Sequence, residues 1–129
     1  GHLGPFLVIG VRMGLIGLRE LETTPSDARL RAAVSVKRAV PLSCTIDGIQ
    51  VATKCTVGNG KLKLKNSAKA ISASFEILEG KRVAVTLRPD KLMELKEALP
   101  MDISSDKNIK LARLVAASRE EELFVTERK

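Results

Sequence analysis

Three side chains of this sequence bring chemistry beyond that of carboxylates and amines: its one histidine, His2, and its two cysteines, Cys44 and Cys55. Thiolate and imidazole are donors that zinc and nickel accept, and the same two groups within hydrogen-bond reach make a nucleophile with its base. Cys44 stands in Ser43-Cys44-Thr45-Ile46-Asp47, where Ser43 or Thr45 suits a helix N-cap and Asp47 falls in the first turn. A helix N-terminus supplies positive potential that favours the thiolate, so Cys44 is the candidate ligand or nucleophile and His2 its candidate partner. Along one unbroken helix Cys55 would stand about 16 Å from Cys44, too far to share an ion. It can join only if the helix breaks near Thr53. The plainer reading of either cysteine is a small buried hydrophobe.

Other standard sites are missing. Gly58-Asn59-Gly60-Lys61 lacks the spacing of a phosphate loop and its following Ser or Thr, and Gly10, Gly14 and Gly17 do not spell a dinucleotide fingerprint. Cys44 and Cys55 are not a close-spaced pair, so no zinc finger is indicated.

The elements that must position these residues follow from patterning. Pro5 opens a helix through Phe6, Leu7, Val8, Ile9, Val11, Met13, Leu15, Ile16 and Leu18, apolar on nearly every face and therefore expected to be buried almost all round. Gly10, Gly14 and Gly17 let another backbone approach it, either inside the monomer or across a subunit interface. Thr23 to Asp27 is a turn, Leu30 to Lys37 a strand, and a short helix runs through Ile46, Ile49 and Val51. Lys61-Leu62-Lys63-Leu64-Lys65 alternates with period two, giving a basic strand face and a buried one. Ala70 to Leu78 and Arg82 to Leu87 read as a hairpin joined by Glu79-Gly80-Lys81. Asp90 to Leu99 is a helix stopped by Pro100, Ser105 caps a further helix through Ile109, Ala112, Leu114 and Ala116, and Leu123-Phe124-Val125 adds an edge strand. The class is α+β, with a buried N-terminal helix and further helices packed on a mostly antiparallel sheet of at least four strands.

At 129 residues, 44% hydrophobic and 29% charged, the chain is expected to be one domain, 1–129, with a core of its own. Free thiols point to a reducing cytoplasm, and the apolar run Phe6 to Leu18, broken by Arg12, is far short of a bilayer span. The net charge of +7 is uneven: residues 28–75 hold nine basic side chains against Asp47 alone. Such a block could attract nucleic acid, an anionic cofactor or an acidic protein, and its plainer reading is a solvated lysine-rich face. With three Phe and neither Tyr nor Trp, stacking on single-stranded bases is not expected, and no nucleic-acid-binding motif accompanies the charge.

Two segments together resemble the E-subunit family of formylmethanofuran dehydrogenase. They are Gly1-His2-Leu3-Gly4-Pro5 with the following Ile9-Gly10 helix, and Ser43-Cys44-Thr45-Ile46-Asp47-Gly48-Ile49-Gln50 leading into Lys54-Cys55-Thr56-Val57-Gly58-Asn59-Gly60-Lys61-Leu62. The likeness is strongest over residues 1–65. It implies an α+β core domain that forms homodimers, with a cleft for a transition metal built from His2 and Cys44 and with Asp47 and Gln50 following on the same helix. Gly4 stands where the family's opening motif has a cysteine, so the implied site is degenerate and would hold zinc or nickel weakly. No cysteine follows Cys55, so the C-terminal zinc finger of longer members is missing. The implied function is an accessory or metal-handling protein of archaeal, methanogenesis-type one-carbon metabolism, a homodimer with a place in a larger dehydrogenase complex. Molybdopterin and iron–sulfur clusters belong to other polypeptides of that enzyme, and no motif here would bind them. Two alternatives stand beside this reading: a thiol enzyme in which His2 is the base of Cys44, and a nucleic-acid-binding module using the 28–75 block.

Overall fold

The computed structural model describes residues 3–78, 80–99 and 106–129. Among them lie five helices and five strands: α1 (Pro5–Glu20), β1 (Leu30–Val36), α2 (Cys44–Thr53), β2 (Leu62–Asn66), β3 (Ser72–Ile77), β4 (Arg82–Leu87), α3 (Pro89–Ala98), α4 (Asp106–Ala117), α5 (Glu120–Leu123) and β5 (Phe124–Arg128). The strands form one sheet in the order β2-β1-β3-β4-β5. β1 and β2 are parallel, as a crossover through α2 requires, and every other pair is antiparallel. This is the expected α+β class.

Side chains alternate across the sheet, and that alternation creates its two faces. One face presents Leu30, Val34, Phe75, Val83, Val85 and Leu87, all buried beneath the helices. The opposite face presents Arg31, Ala33, Ser35, Ser74, Ala84 and Thr86, all at least partly exposed. β2 follows the expected pattern, with Leu62 buried, Leu64 half-buried, and Lys63 and Lys65 exposed.

α1 lies on the sheet and packs against α2 along a seam of small residues. A Cβ at Gly10 would fall inside the van der Waals envelope of the Thr45 carbonyl oxygen, and one at Gly48 inside that of the Leu7 carbonyl oxygen. At Gly14 it would stand 2.7 Å from Ala52 Cβ. Gly17 instead faces the Phe75 ring, so it lets α1 sit down on the sheet. Of the two roles open to the glycine stripe, the structure thus uses it inside the monomer.

α1 is nevertheless not covered all round, contrary to the expectation from its composition. Phe6, Ile9 and Met13 are sealed, but Leu15 is 54% exposed and Leu7, Val8 and Val11 are half-buried. The reason is geometric: the sheet, α2 and α4 occupy three sides of the cylinder and leave a fourth. Arg12, which interrupts the apolar run, reaches across to α4 and donates from Nη1 to the carbonyl oxygens of Val115 and Ser118. Both carbonyls lie at the C-terminal end of α4, where the guanidinium charge suits the negative end of the helix.

The hairpin of β3 and β4, α3, α4 and the edge strand β5 all appear where the sequence placed them, while Ser105 and Pro100 lie outside the described residues. The short α5 was not expected from sequence. At its start the Arg119 N–H donates to Glu122 Oε1 at 3.1 Å and the Glu122 N–H to the Arg119 carbonyl oxygen at 3.0 Å. No described helix is long and apolar enough to cross a membrane.

The seam yields a direct test. Gly10→Ala should lower stability by about 1–3 kcal/mol or more, because the atoms in the way are main chain and cannot swing aside. Gly58→Ala, where the nearest atom to a new Cβ is Thr56 Oγ1 at 3.9 Å, should be close to neutral. Denaturant midpoints of the two variants against the parent give the comparison.

Candidate functional site

Residue numbers rise together along the seam: Gly10 meets Thr45 and Gly48, and Gly14 meets Ala52 and Thr53. α1 and α2 therefore run parallel, with Gly4–Pro5 and Ser43–Cys44 at the same end of the helical layer. α4 runs the same way, since Asn108 near its start donates to the Leu3 carbonyl oxygen at 3.4 Å while Val115 lies beside Arg12. The first turns of three helices thus gather at one end of the molecule.

Cys44 is the first residue of α2 and is half-buried. Ser43 holds the N-cap position but makes no side-chain cap. The preceding turn does that work: the N–H groups of Cys44, Thr45 and Ile46 donate to the carbonyls of Pro41, Leu42 and Ser43 at 3.0–3.1 Å. This corrects the expectation of a thiolate stabilised by the helix end. Burial, and next the Asp47 carboxylate, push the Cys44 thiol above its ordinary value. Asp47, three residues on, shares the side of the helix that Cys44 occupies. Gln50 lies about 240° round the axis from it and does not.

The helix does break after Thr53. Lys54 adopts the left-handed conformation with φ 62°, and Thr53 Oγ1 both donates to the Ile49 carbonyl and accepts from the Cys55 N–H. The break turns Cys55 inward, however. Its side chain is fully buried, with Sγ 4.0 Å from the Leu30 carbonyl oxygen. Cys55 is the buried hydrophobe of the plainer reading, and it belongs to the core under β1.

His2 lies outside the described residues, so the geometry at this end is that of Leu3 and Gly4. Gly4 is the N-cap of α1, in extended conformation. A Cβ there would stand 2.9 Å from Asn108 Nδ2 and 3.2 Å from Asn108 Oδ1, so the Asn108 amide occupies the space into which a larger residue at position 4 would grow. Asn108 is itself 4% exposed. Thr45, next to Cys44, is fully buried, and its hydroxyl meets no hydrogen-bond partner among the described residues. Sequence reasoning missed Asn108 and the isolated Thr45 hydroxyl, since a single Asn or Thr on a helix carries no pattern.

The transition metal implied by the sequence resemblance can be tested against these donors. Among the described residues no three histidine, cysteine, aspartate or glutamate side chains gather in one place. Cys44 with Asp47 offers a thiol and a carboxylate, enough to start a site but short of the four ligands of a closed structural one.

The thiol makes its own prediction. Alkylation of Cys44 should follow the thiolate fraction and rise with pH about a midpoint above that of a free cysteine. Asp47→Asn removes the nearby negative charge and should move that midpoint down. Mass spectrometry of iodoacetamide adducts against pH reads both effects, and Cys55 should remain unlabelled until the protein is unfolded.

A protein of Archaeoglobus fulgidus described as a probable S-adenosyl-L-methionine-binding protein is 32% identical to the chain over 104 residues, 78% of this chain. The chain spans only about 28% of that relative's length. A family profile described as FmdE, molybdenum formylmethanofuran dehydrogenase operon, matches residues 1–125. With nearly its whole length inside that profile, and with Ser43-Cys44 opening a helix that runs parallel to the one begun at Gly4–Pro5, the chain belongs to the FmdE family.

Proposed function

We propose that this FmdE-family chain is an accessory, metal-handling protein of one-carbon metabolism, working in a reducing cytoplasm and binding zinc or nickel weakly through Cys44 and His2. The observation that supports the reading is the parallel course of α1 and α2, which sets Gly4–Pro5, shortly after His2 in sequence, and the start of α2 bearing Cys44 at one end of the fold. A raised thiol suits metal handling better than covalent catalysis. An incoming cation displaces the thiol proton by its own charge, whereas a nucleophile would need the thiolate beforehand. Water or a partner's donor completes the shell, consistent with passing the ion on to a larger dehydrogenase assembly.

Titration calorimetry with zinc and with nickel tests the site. Cys44→Ser should abolish binding, His2→Ala should weaken it, and Cys55→Ser should leave it intact. Gly4→Cys in an Asn108→Ala background, where the new side chain has room, should tighten it. Undiminished binding by Cys44→Ser, or loss in Cys55→Ser, would put the site elsewhere.

The protein is further proposed to act as a homodimer through the uncovered side of α1. Leu3, Leu7, Val11 and Leu15 recur every four residues there, and the first and last are 50% and 54% exposed. Such a stripe, covered by the same stripe of a second copy, makes a self-complementary two-fold contact. Light scattering should give twice the chain mass of 14.0 kDa. Leu15→Glu should halve it, and a parent protein that runs as a monomer would refute the assembly.

A further inference from the structure

β2 is an edge of the sheet, and its free side is chemically unusual. The parallel ladder commits the main-chain groups of odd-numbered residues to β1, as the bonds from Ala32 N to Lys61 O and from Ser67 N to Val36 O at its two ends show. The even-numbered residues face outward. The Leu62 N–H is taken by the Thr56 carbonyl at 3.1 Å, which leaves Leu64 and Asn66 with N–H and C=O groups directed to an open edge where no described strand pairs with them.

The side chains beside that edge are cationic and unneutralised. Lys63 and Lys65 are exposed on the uncovered face of the sheet, and Lys37, Arg38 and Lys69 are exposed near the same edge. None of these five forms an ion pair among the described residues, whereas Arg82 at the far side of the sheet is held by Glu76 at 2.9 Å. Next to Lys63 the uncovered face dips into a recess of about 310 Å³, lined by the small side chains of Ala33 and Ser74, by Arg31 and Lys61, and by Glu76, whose carboxylate Arg82 already holds.

We propose that β2 is a docking edge for an extended acidic segment of a partner protein, which adds a sixth strand beside β2 and sets alternate carboxylates against Lys63 and Lys65. Main-chain pairing supplies the attachment, and the period-two lysines supply the charge pattern that selects the segment. A nucleic acid could answer the charge alone. It has no use for the unpaired N–H and C=O groups of the edge, and the uncovered face offers no aromatic ring for a base. This inference does not depend on the metal site.

The probe is the labelled peptide acetyl-Val-Glu-Val-Glu-Val-Glu-amide, titrated by fluorescence anisotropy into the whole protein at low salt, with hydrogen exchange read in parallel. Expected are saturable binding and new protection of the Leu64 and Asn66 amides. The same peptide N-methylated on its ladder-forming amides should bind about tenfold or more weakly, and so should the parent peptide to a Lys63→Glu/Lys65→Glu variant, whose changes lie on exposed positions. The proposal is overturned if the acidic peptide fails to bind, if N-methylation makes no difference, or if a short oligothymidylate occupies the edge more tightly than the peptide. It is equally overturned if the parent binds nothing while the double variant self-associates, since the lysines then serve only to guard an open edge.

Discussion

Close contact between the main chains of α1 and α2 is the constraint on which the rest of the arrangement depends. Gly10 and Gly48 each receive the backbone of the other helix where any side chain would stand, so the two helices meet at a distance that side-chain packing would not permit. That approach fixes their direction, which is parallel, and their relative height. α2 is the crossover between β1 and β2, and its Ile49 joins the core that α1 and the sheet enclose. α4 then takes the other flank of α1, held by Arg12.

A division of charge follows from this layering. Ion pairs gather around the far end of α1 and the C-terminal elements, where Glu20 accepts from Arg19 and Arg128, and Arg19 also holds Glu120. These contacts are exposed, so each contributes little to stability, but together they lower the Glu20 and Glu120 carboxyls and leave that side nearly neutral. Of the cations in the middle of the chain, Arg29 is held by Asp27, and the other eight form no ion pair among the described residues. The molecule is therefore polarised across its sheet, and the imbalance visible in composition becomes a property of one edge.

Much of the architecture was legible because its signals are periodic. Alternation in Lys61–Lys65 and in the β3–β4 hairpin, proline at the start of α1, and the turn after Val57 each announce an element by local chemistry. Coverage of α1 was not legible, since hydrophobicity says that Leu15 prefers burial but not whether a neighbour arrives to bury it. The site shows the same split. The sequence could place Cys44 at the head of a helix and could require a break near Thr53 before Cys55 might join it. It could not show that the turn carbonyls of Pro41, Leu42 and Ser43 already consume the helix-end N–H groups, or that the break aims Cys55 into the core. Both depend on where the chain goes after it leaves the local pattern.

The unequal burial of the two cysteines decides how this protein meets an oxidant. Cys55 is sealed beneath β1, so the folded chain offers its surface sulfur no internal partner and cannot close a disulfide upon itself. Of the two cysteines only Cys44 meets the oxidant, giving a sulfenic acid or a mixed disulfide with a small thiol, and both forms are reversible by thiol reductants. A raised thiol makes even that reaction slow at neutral pH. Thiol damage is thus confined to one atom at the end of a helix, while the cysteine sulfur whose modification would split the core is reached only by a chain that has already come apart.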